Sequence, residues 1–311
     1  MSTAFLFPGQ GSQAVGMGRS LYESEPTAKN VFEEVDEALG EALSTVIFEG
    51  PEETLRLTEN AQPALMATSL AAVRALEARS GRALGGEGAF VAGHSLGEYS
   101  ALAAAGAISI GDAARLLRLR GRSMQTAVPV GEGAMAAVLG LDLADVEAVA
   151  AEAAGDQVCD VANDNAPGQV VVSGDKAAVE RAVEIAKAKG AKRSLLLPVS
   201  APFHCRLMAP AADAVGAALE EIAFQRPALP VITNVSAAPE SDPDALKRAL
   251  VEQVTARVRW RESVLALAGQ GVDRLLELGS GKVLTGLAKR IDRSLSASAI
   301  GTAEDLDAHF A

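Results

Sequence analysis

The chain has 311 residues, 49% hydrophobic and 22% charged, with 40 Asp+Glu against 28 Lys+Arg and a net charge of -12. That balance excludes a disordered chain, a coiled coil and a collagen-like fibre, and its length suits one large domain or two modest ones. The acidity disfavours general binding to nucleic acid or anionic lipid. Two cysteines, Cys159 and Cys205, are too few for a disulfide scaffold, and three histidines leave little scope for a histidine-rich metal site.

Ala4–Phe7 is an apolar run stopped by Pro8-Gly9 and predicts a buried strand feeding a turn. Residues 1–8 lack the basic start of a signal peptide, and Ala101–Ile108 is too short to span a bilayer, so a cytoplasmic protein is expected. Helical patterns follow at about 20–40 and at Gln62–Arg79. A second short strand, Ala89–Ala92, precedes helices at about Ser95–Gly106 and Asp112–Met124. Strands alternating with helices imply a parallel α/β sheet.

From Gly133 to Pro198 the order becomes strand, helix, strand, strand, helix, strand, the ferredoxin-like βαββαβ arrangement. We read 128–196 as a small domain inserted into a large α/β domain formed by 1–127 and 197–311. The chain then returns through helix Pro210–Ala223, strand Val231–Val235, helix Asp244–Val254, strand Val272–Leu278 and helix Lys282–Ile291. The last dozen residues read as a loose tail.

The chemistry concentrates at Gly93-His94-Ser95-Leu96-Gly97, a G-x-S-x-G motif where a strand meets a helix. Glycines allow a sharp turn that pushes the Ser95 hydroxyl outward, and the helix start leaves free N–H groups beside it to stabilise an oxyanion. The competing reading is a helix N-cap serine. A serine nucleophile needs a base. His204 hangs from a proline-broken loop after an apolar strand; His94 sits within the turn and is expected to point elsewhere, and His309 lies in the tail. Cys205 reads as a small buried residue.

The turn Phe7–Ala14 formally fits G-x-G-x-x-G/A, but residues 28–40 look helical where a second strand is required, and no Walker-A lysine follows. It is a tight loop, structural or presenting oxyanion donors. In the helix 112–124, Arg120 shares a face with Ala113, Leu116, Leu117 and Met124, while Arg115, Arg118 and Arg122 form a solvated stripe. An inward guanidinium demands an anion, either an internal carboxylate or a substrate's. Lys187, Lys189, Lys192 and Arg193 form a basic cluster, a solvated face or a dock for an acidic protein.

Phe7–Gln13, Gly93–Leu102, Arg120-Gly121-Arg122, Gly133–Ala137, Asn165–Val171, Val199–His204 and Gly281–Leu287 together resemble the malonyl-CoA:acyl carrier protein transacylase family over nearly the whole chain. The resemblance implies a hydrolase-like α/β core with a ferredoxin-like insertion. It implies Ser95 as nucleophile, His204 as base, Arg120 as the clamp on the malonyl carboxylate, and the N–H groups of Gln10 and Leu96 as the oxyanion hole. It further implies that the main-chain carbonyl of Gln253 orients the histidine and that the bulk of Phe203 selects malonyl. Gly279-Ser280-Gly281 departs from the Gly-Pro-Gly expected in that family.

The expected reaction is ping-pong transfer of malonyl from malonyl-CoA to the phosphopantetheine thiol of acyl carrier protein, most simply in fatty acid synthesis. No metal or other cofactor is called for, coenzyme A entering as substrate. The carrier is expected to dock on the basic cluster; no nucleic acid or membrane partner is expected. The alternatives are a serine hydrolase, for which the Asp residues between Ser95 and His204 fall mostly in the small domain, a polyketide acyltransferase acting in trans, and a non-catalytic carrier-binding module.

Overall fold

The computed structural model describes residues 2–311. Its strands are β1 (Thr3–Phe7), β2 (Phe90–Gly93), β3 (Gly133–Leu139), β4 (Cys159–Ala166), β5 (Gln169–Asp175), β6 (Arg193–Leu196), β7 (Val231–Ile232), β8 (Pro239–Glu240), β9 (Arg274–Leu278) and β10 (Ser296–Ile300). The large sheet runs β10-β9-β1-β2-β7-β8, parallel except for β8 at its edge. The small sheet runs β4-β5-β3-β6 and is antiparallel throughout.

A parallel sheet is covered on both faces, so its central strands must be apolar on both sides. β1 obeys this through the two-residue side-chain period. Phe5 and Phe7 enter one core with the helices Thr58–Ser80, Leu96–Ala104 and Ile110–Thr126. Ala4 and Leu6 enter a second core with Trp260, Val264, Leu284 and Ala288. At the end of β9 the buried Glu277 carboxylate accepts the N–H groups of Leu284 and Thr285 at 3.1 and 2.7 Å, supplying acceptors that the next helix lacks at its start.

The small sheet buries Ala136, Val138, Val170 and Val172 under the helices Leu143–Ala154 and Lys176–Ala188. Its other face contributes Met135, Ala162 and Val171 to the larger core. Charged pairs then fasten it to the rest of the chain. Buried Asp164 meets Arg261 at 2.8 Å, and Asp160 meets Arg206 at 3.0 Å. Asn163 of β4 also bridges to Val258 as a short parallel contact.

The structure departs from the sequence reading in several places. The 20–40 helix breaks into Arg19–Ser24 and Pro26–Leu39, because Pro26 takes the first position of the second helix, where its missing N–H is harmless. The helices Leu43–Glu49, Glu52–Arg56 and Trp260–Gly269 and the strand β10 were not anticipated. The tail is not loose. Thr302 caps the helix Ala303–Phe310 by accepting the Asp305 N–H at 3.1 Å, and Leu306 is buried. One inward leucine in eight residues is too sparse a signal for periodicity to register.

Two glycines set the approach of β2 to the helix behind it. A Cβ on Gly93 would lie 1.9 Å from the carbonyl of Gly97, and one on Gly97 would lie 2.2 Å from the Phe7 carbonyl oxygen. These are backbone contacts, which no side-chain rotation relieves. Gly93→Ala is therefore expected to cost about 3 kcal/mol or more in urea unfolding. Gly286→Ala, on an exposed helix face with open space around it, should gain about 0.5–1 kcal/mol. Equal stability of the two variants would contradict this account of the turn.

Candidate active site

Ser95 occupies φ 54, ψ -111 at the start of the helix Leu96–Ala104. Positive φ is a strained conformation for a residue with a side chain, and such strain persists only where surroundings over-determine it. Here the flanking glycines admit the turn, and Asn234 fixes it. The Asn234 side chain accepts the Ser95 N–H at 2.7 Å and donates to the Gly93 carbonyl at 2.6 Å. The Ser95 hydroxyl makes no capping bond to its own helix. The N-cap reading is thus set aside, and the hydroxyl faces His204 and Arg120 instead.

Ser95 Oγ lies 2.7 Å from His204 Nε2, and His204 Nδ1 lies 2.9 Å from the main-chain carbonyl of Gln253. A carbonyl only accepts, so Nδ1 carries the proton and Nε2 is left to accept from the serine hydroxyl. Burial, then the nearby positive charge of Arg120, pushes the His204 pKa down to about 3. The imidazole is therefore neutral at physiological pH, the form a general base requires.

Arg120 is 1% exposed. Its Nη1 donates to Gln62 Oε1 at 2.7 Å, and its Nη2 donates to Gln253 Oε1 at 2.9 Å and to Ser95 Oγ at 3.0 Å. The guanidinium also lies over the Tyr99 ring, 5.5 Å from its centroid. It forms no ion pair among the described residues, and its buried Nε has no partner. The internal-carboxylate reading of Arg120 therefore fails. A buried cation whose direct contacts are all neutral, with Glu98 acting on it only at longer range, keeps unspent attraction for an anion.

One assignment on the same helix is corrected. Arg115 and Arg122 are exposed and pair with Asp112 and Glu59. Arg118 is not solvated: it is 7% exposed and bonds Glu41 and Asn60. The loop following Pro26–Leu39 brings Glu41 over that face, a tertiary contact invisible to helical spacing.

Ser95, His204 and Arg120 open on a cavity of about 480 Å³, also lined by Gln10, Leu96 and Phe203. The backbone N–H groups of Gln10 and Leu96 have no acceptor among the described residues. Phe203, almost fully buried, walls the cavity beside His204. The small sheet closes the opposite side with Met135, Asn163, Asn165 and Val171. His94 turns away from the serine, its Nε2 2.8 Å from Asn165 Oδ1. Cys205 is buried, its thiol pushed up to about 11. The basic cluster lies apart from this cavity. There Lys187 pairs with Glu184 at 2.6 Å and Lys189 with Glu152 at 2.8 Å.

Asn234, Gln62 and Glu98 were missed by sequence reasoning. Asn234 lies two residues past β7, and Glu98 lies three residues after Ser95 in the first helical turn; both positions were visible, but neither residue type announces its partner. Glu98 is fully buried, and burial lifts its pKa to about 7 against the opposing pull of the Asn234 N–H, Gln253 and Arg120. Among the described residues no group of three or more His, Cys, Asp or Glu is placed to hold a metal, and no helix is long and apolar enough to cross a membrane.

An α/β core that presents a serine at a strand-to-helix turn, against a neutral histidine, is an arrangement suited to acyl transfer. The chain belongs to the acyl transferase family, whose model, described as an acyl transferase domain, matches residues 4–298. It is 50% identical over 297 residues to the malonyl CoA-acyl carrier protein transacylase of Escherichia coli K12, covering 96% of this chain and 95% of that protein. The crystal structure of an acyl-carrier-protein S-malonyltransferase from Bartonella henselae superposes with a TM-score of 0.97 at 56% identity, covering 100% of this chain and 98% of that one. A malonyl-transacylase solved in complex with its type II polyketide acyl-carrier protein superposes with a TM-score of 0.95 at 46% identity, covering 99% of this chain and 98% of that one.

Nitrogen-15 NMR of histidine-labelled protein tests the tautomer and the charge together. The His204 ring should remain neutral, with Nδ1 protonated, from pH 8 down to pH 5. Titration of that ring near its ordinary value of 6.5 would contradict the burial argument.

Proposed function

We propose that this protein is an acyl-carrier-protein S-malonyltransferase. It moves malonyl from malonyl-CoA to the phosphopantetheine thiol of an acyl carrier protein, in the cytoplasm and in the service of fatty acid synthesis. The observation that carries the reading is the 3.0 Å contact between the Arg120 guanidinium and Ser95 Oγ inside one cavity. A buried cation beside an acylatable hydroxyl suits an acyl group that ends in a second carboxylate.

In the proposed mechanism Arg120 receives the malonyl carboxylate through its planar fork. His204 Nε2 takes the Ser95 proton as Oγ attacks the thioester carbon. The carbonyl oxygen becomes an oxyanion facing the N–H groups of Gln10 and Leu96, each worth about 3 kcal/mol in such sites. The C–S bond breaks, His204 returns its proton to the coenzyme A sulfur, and malonyl remains as a serine ester. The carrier thiol then gives its proton to His204, attacks the ester, and the tetrahedral adduct collapses with return of the proton to Ser95. The Gln253 carbonyl holds the imidazole through both halves, and Phe203 narrows the space beside the acyl α-carbon. Water in place of the thiol would make the same site a hydrolase.

For carrier docking we propose the surface bearing Lys187, Lys189, Lys192 and Arg193. Two of its lysines already face glutamates of the same surface, so Lys192 and Arg193 hold most of the available charge.

Ser95→Ala should abolish the malonyl adduct seen by mass spectrometry after exposure to malonyl-CoA. Arg120→Ala should lower the preference for malonyl over acetyl roughly ten- to hundredfold, the equivalent of a lost charge-assisted hydrogen bond. Equal losses for both acyl groups would make Arg120 structural, and rapid release of free malonate without carrier would favour the hydrolase. Charge reversal at Lys192 and Arg193 should raise the KM for carrier severalfold and leave that for malonyl-CoA unchanged; an unmoved carrier KM discards this docking surface.

A further inference from the structure

Glu98 has no role in the mechanism above, yet it is a fully buried carboxylate one helical turn from Ser95. It forms no ion pair among the described residues. Its Oε2 accepts from the Asn234 N–H at 3.0 Å and from Gln253 Nε2 at 2.8 Å, while Oε1 has no partner. The two donors come from different elements, the loop after β7 and the helix Pro243–Thr255.

The Gln253 side chain has two jobs that depend on which way its amide faces. Nε2 points at three acceptors: Glu98 Oε2, the Ser95 carbonyl at 3.0 Å and Asn234 Oδ1 at 3.3 Å. Oε1 is thereby turned toward Arg120 Nη2 at 2.9 Å. A reversed amide would set its NH2 against the guanidinium, donor facing donor. Of the three acceptors, Glu98 makes the shortest bond and belongs to the group with the strongest acceptor oxygens.

We propose that Glu98 is a positioning residue for acyl selection: by fixing the Gln253 carboxamide it sets the Arg120 fork that reads the acyl carboxylate. The inference rests on the proposed malonyl reading of Arg120. The Gln253 main-chain carbonyl that orients His204 is a separate group, untouched by a change of side chain. What the position requires is an acceptor oxygen aimed at Gln253, so a glutamine at 98 supplies it through its carbonyl.

The test is the ratio of kcat/KM for malonyl loading to that for acetyl loading on full-length protein, with thermal melts to establish folding. Glu98→Met and Gln253→Met should each lower the ratio about tenfold. The double variant should fall no further than Gln253→Met alone, because both changes break one path. Glu98→Gln should hold the ratio within about threefold of wild type. Should Glu98→Met unfold, Glu98→Asp, which retracts the carboxylate by one methylene, carries the same expected loss. An unchanged ratio in folded Glu98→Met (or Glu98→Asp) or in Gln253→Met, a double variant whose loss is the product of the two, or a Glu98→Gln as impaired as Glu98→Met overturns the proposal. A wild type that does not load malonyl, or an Arg120→Ala that keeps the ratio, defeats the malonyl reading itself, so the two failures are told apart.

Discussion

A guanidinium sealed from solvent with no carboxylate against it is the constraint around which the site is arranged. Removing a charge from water is costly unless it is paired, and Arg120 is held only by two glutamine carbonyl oxygens, a serine hydroxyl and an aromatic face. Such an arrangement is stable enough to fold but leaves a strong preference for an incoming anion. Because one of its contacts is Ser95 Oγ itself, an anion drawn to the guanidinium would lie beside that hydroxyl, as the proposed malonyl ester requires.

The rest of the fold serves that juxtaposition. The parallel sheet delivers β1 and β2 side by side, and two glycines let the following helix start against them at a distance no other residue allows. Asn234 holds Ser95 in its strained turn from the loop after β7, while the helix Pro243–Thr255 offers one carbonyl to His204 and one carboxamide to Arg120. The histidine has a carbonyl where many hydrolases have a carboxylate. Orientation is preserved, and burial, helped by the nearby charge of Arg120, keeps the ring neutral. The small sheet, pinned by Asp164 and Arg261, supplies the far wall of the cavity.

Features carried by local chemistry were legible in the sequence: the apolar β1 closed by Pro8-Gly9, the glycine-flanked Ser95, the inward phase of Arg120, and the βαββαβ order of the small sheet. What stayed hidden depends on contacts between distant segments. Asn234 meets the Ser95 turn from 139 residues away, Gln62 reaches Arg120 from another helix, and Glu41 folds over Arg118 to bury it. Short or weakly patterned elements such as β10 and Ala303–Phe310 were also lost, since small and polar residues give periodicity little to register. Glu98 sat in plain view within the motif, but only the fold shows that its carboxylate turns away from its own helix.

A crystal of the Ser95 ester formed with malonyl-CoA would test the central claim most directly. The distal carboxylate should sit in bidentate contact with Arg120, the guanidinium still in place beside Ser95. An ester whose carboxylate points to solvent, with Arg120 retaining its contacts to Gln62 and Gln253 and making none to the acyl group, would contradict the account.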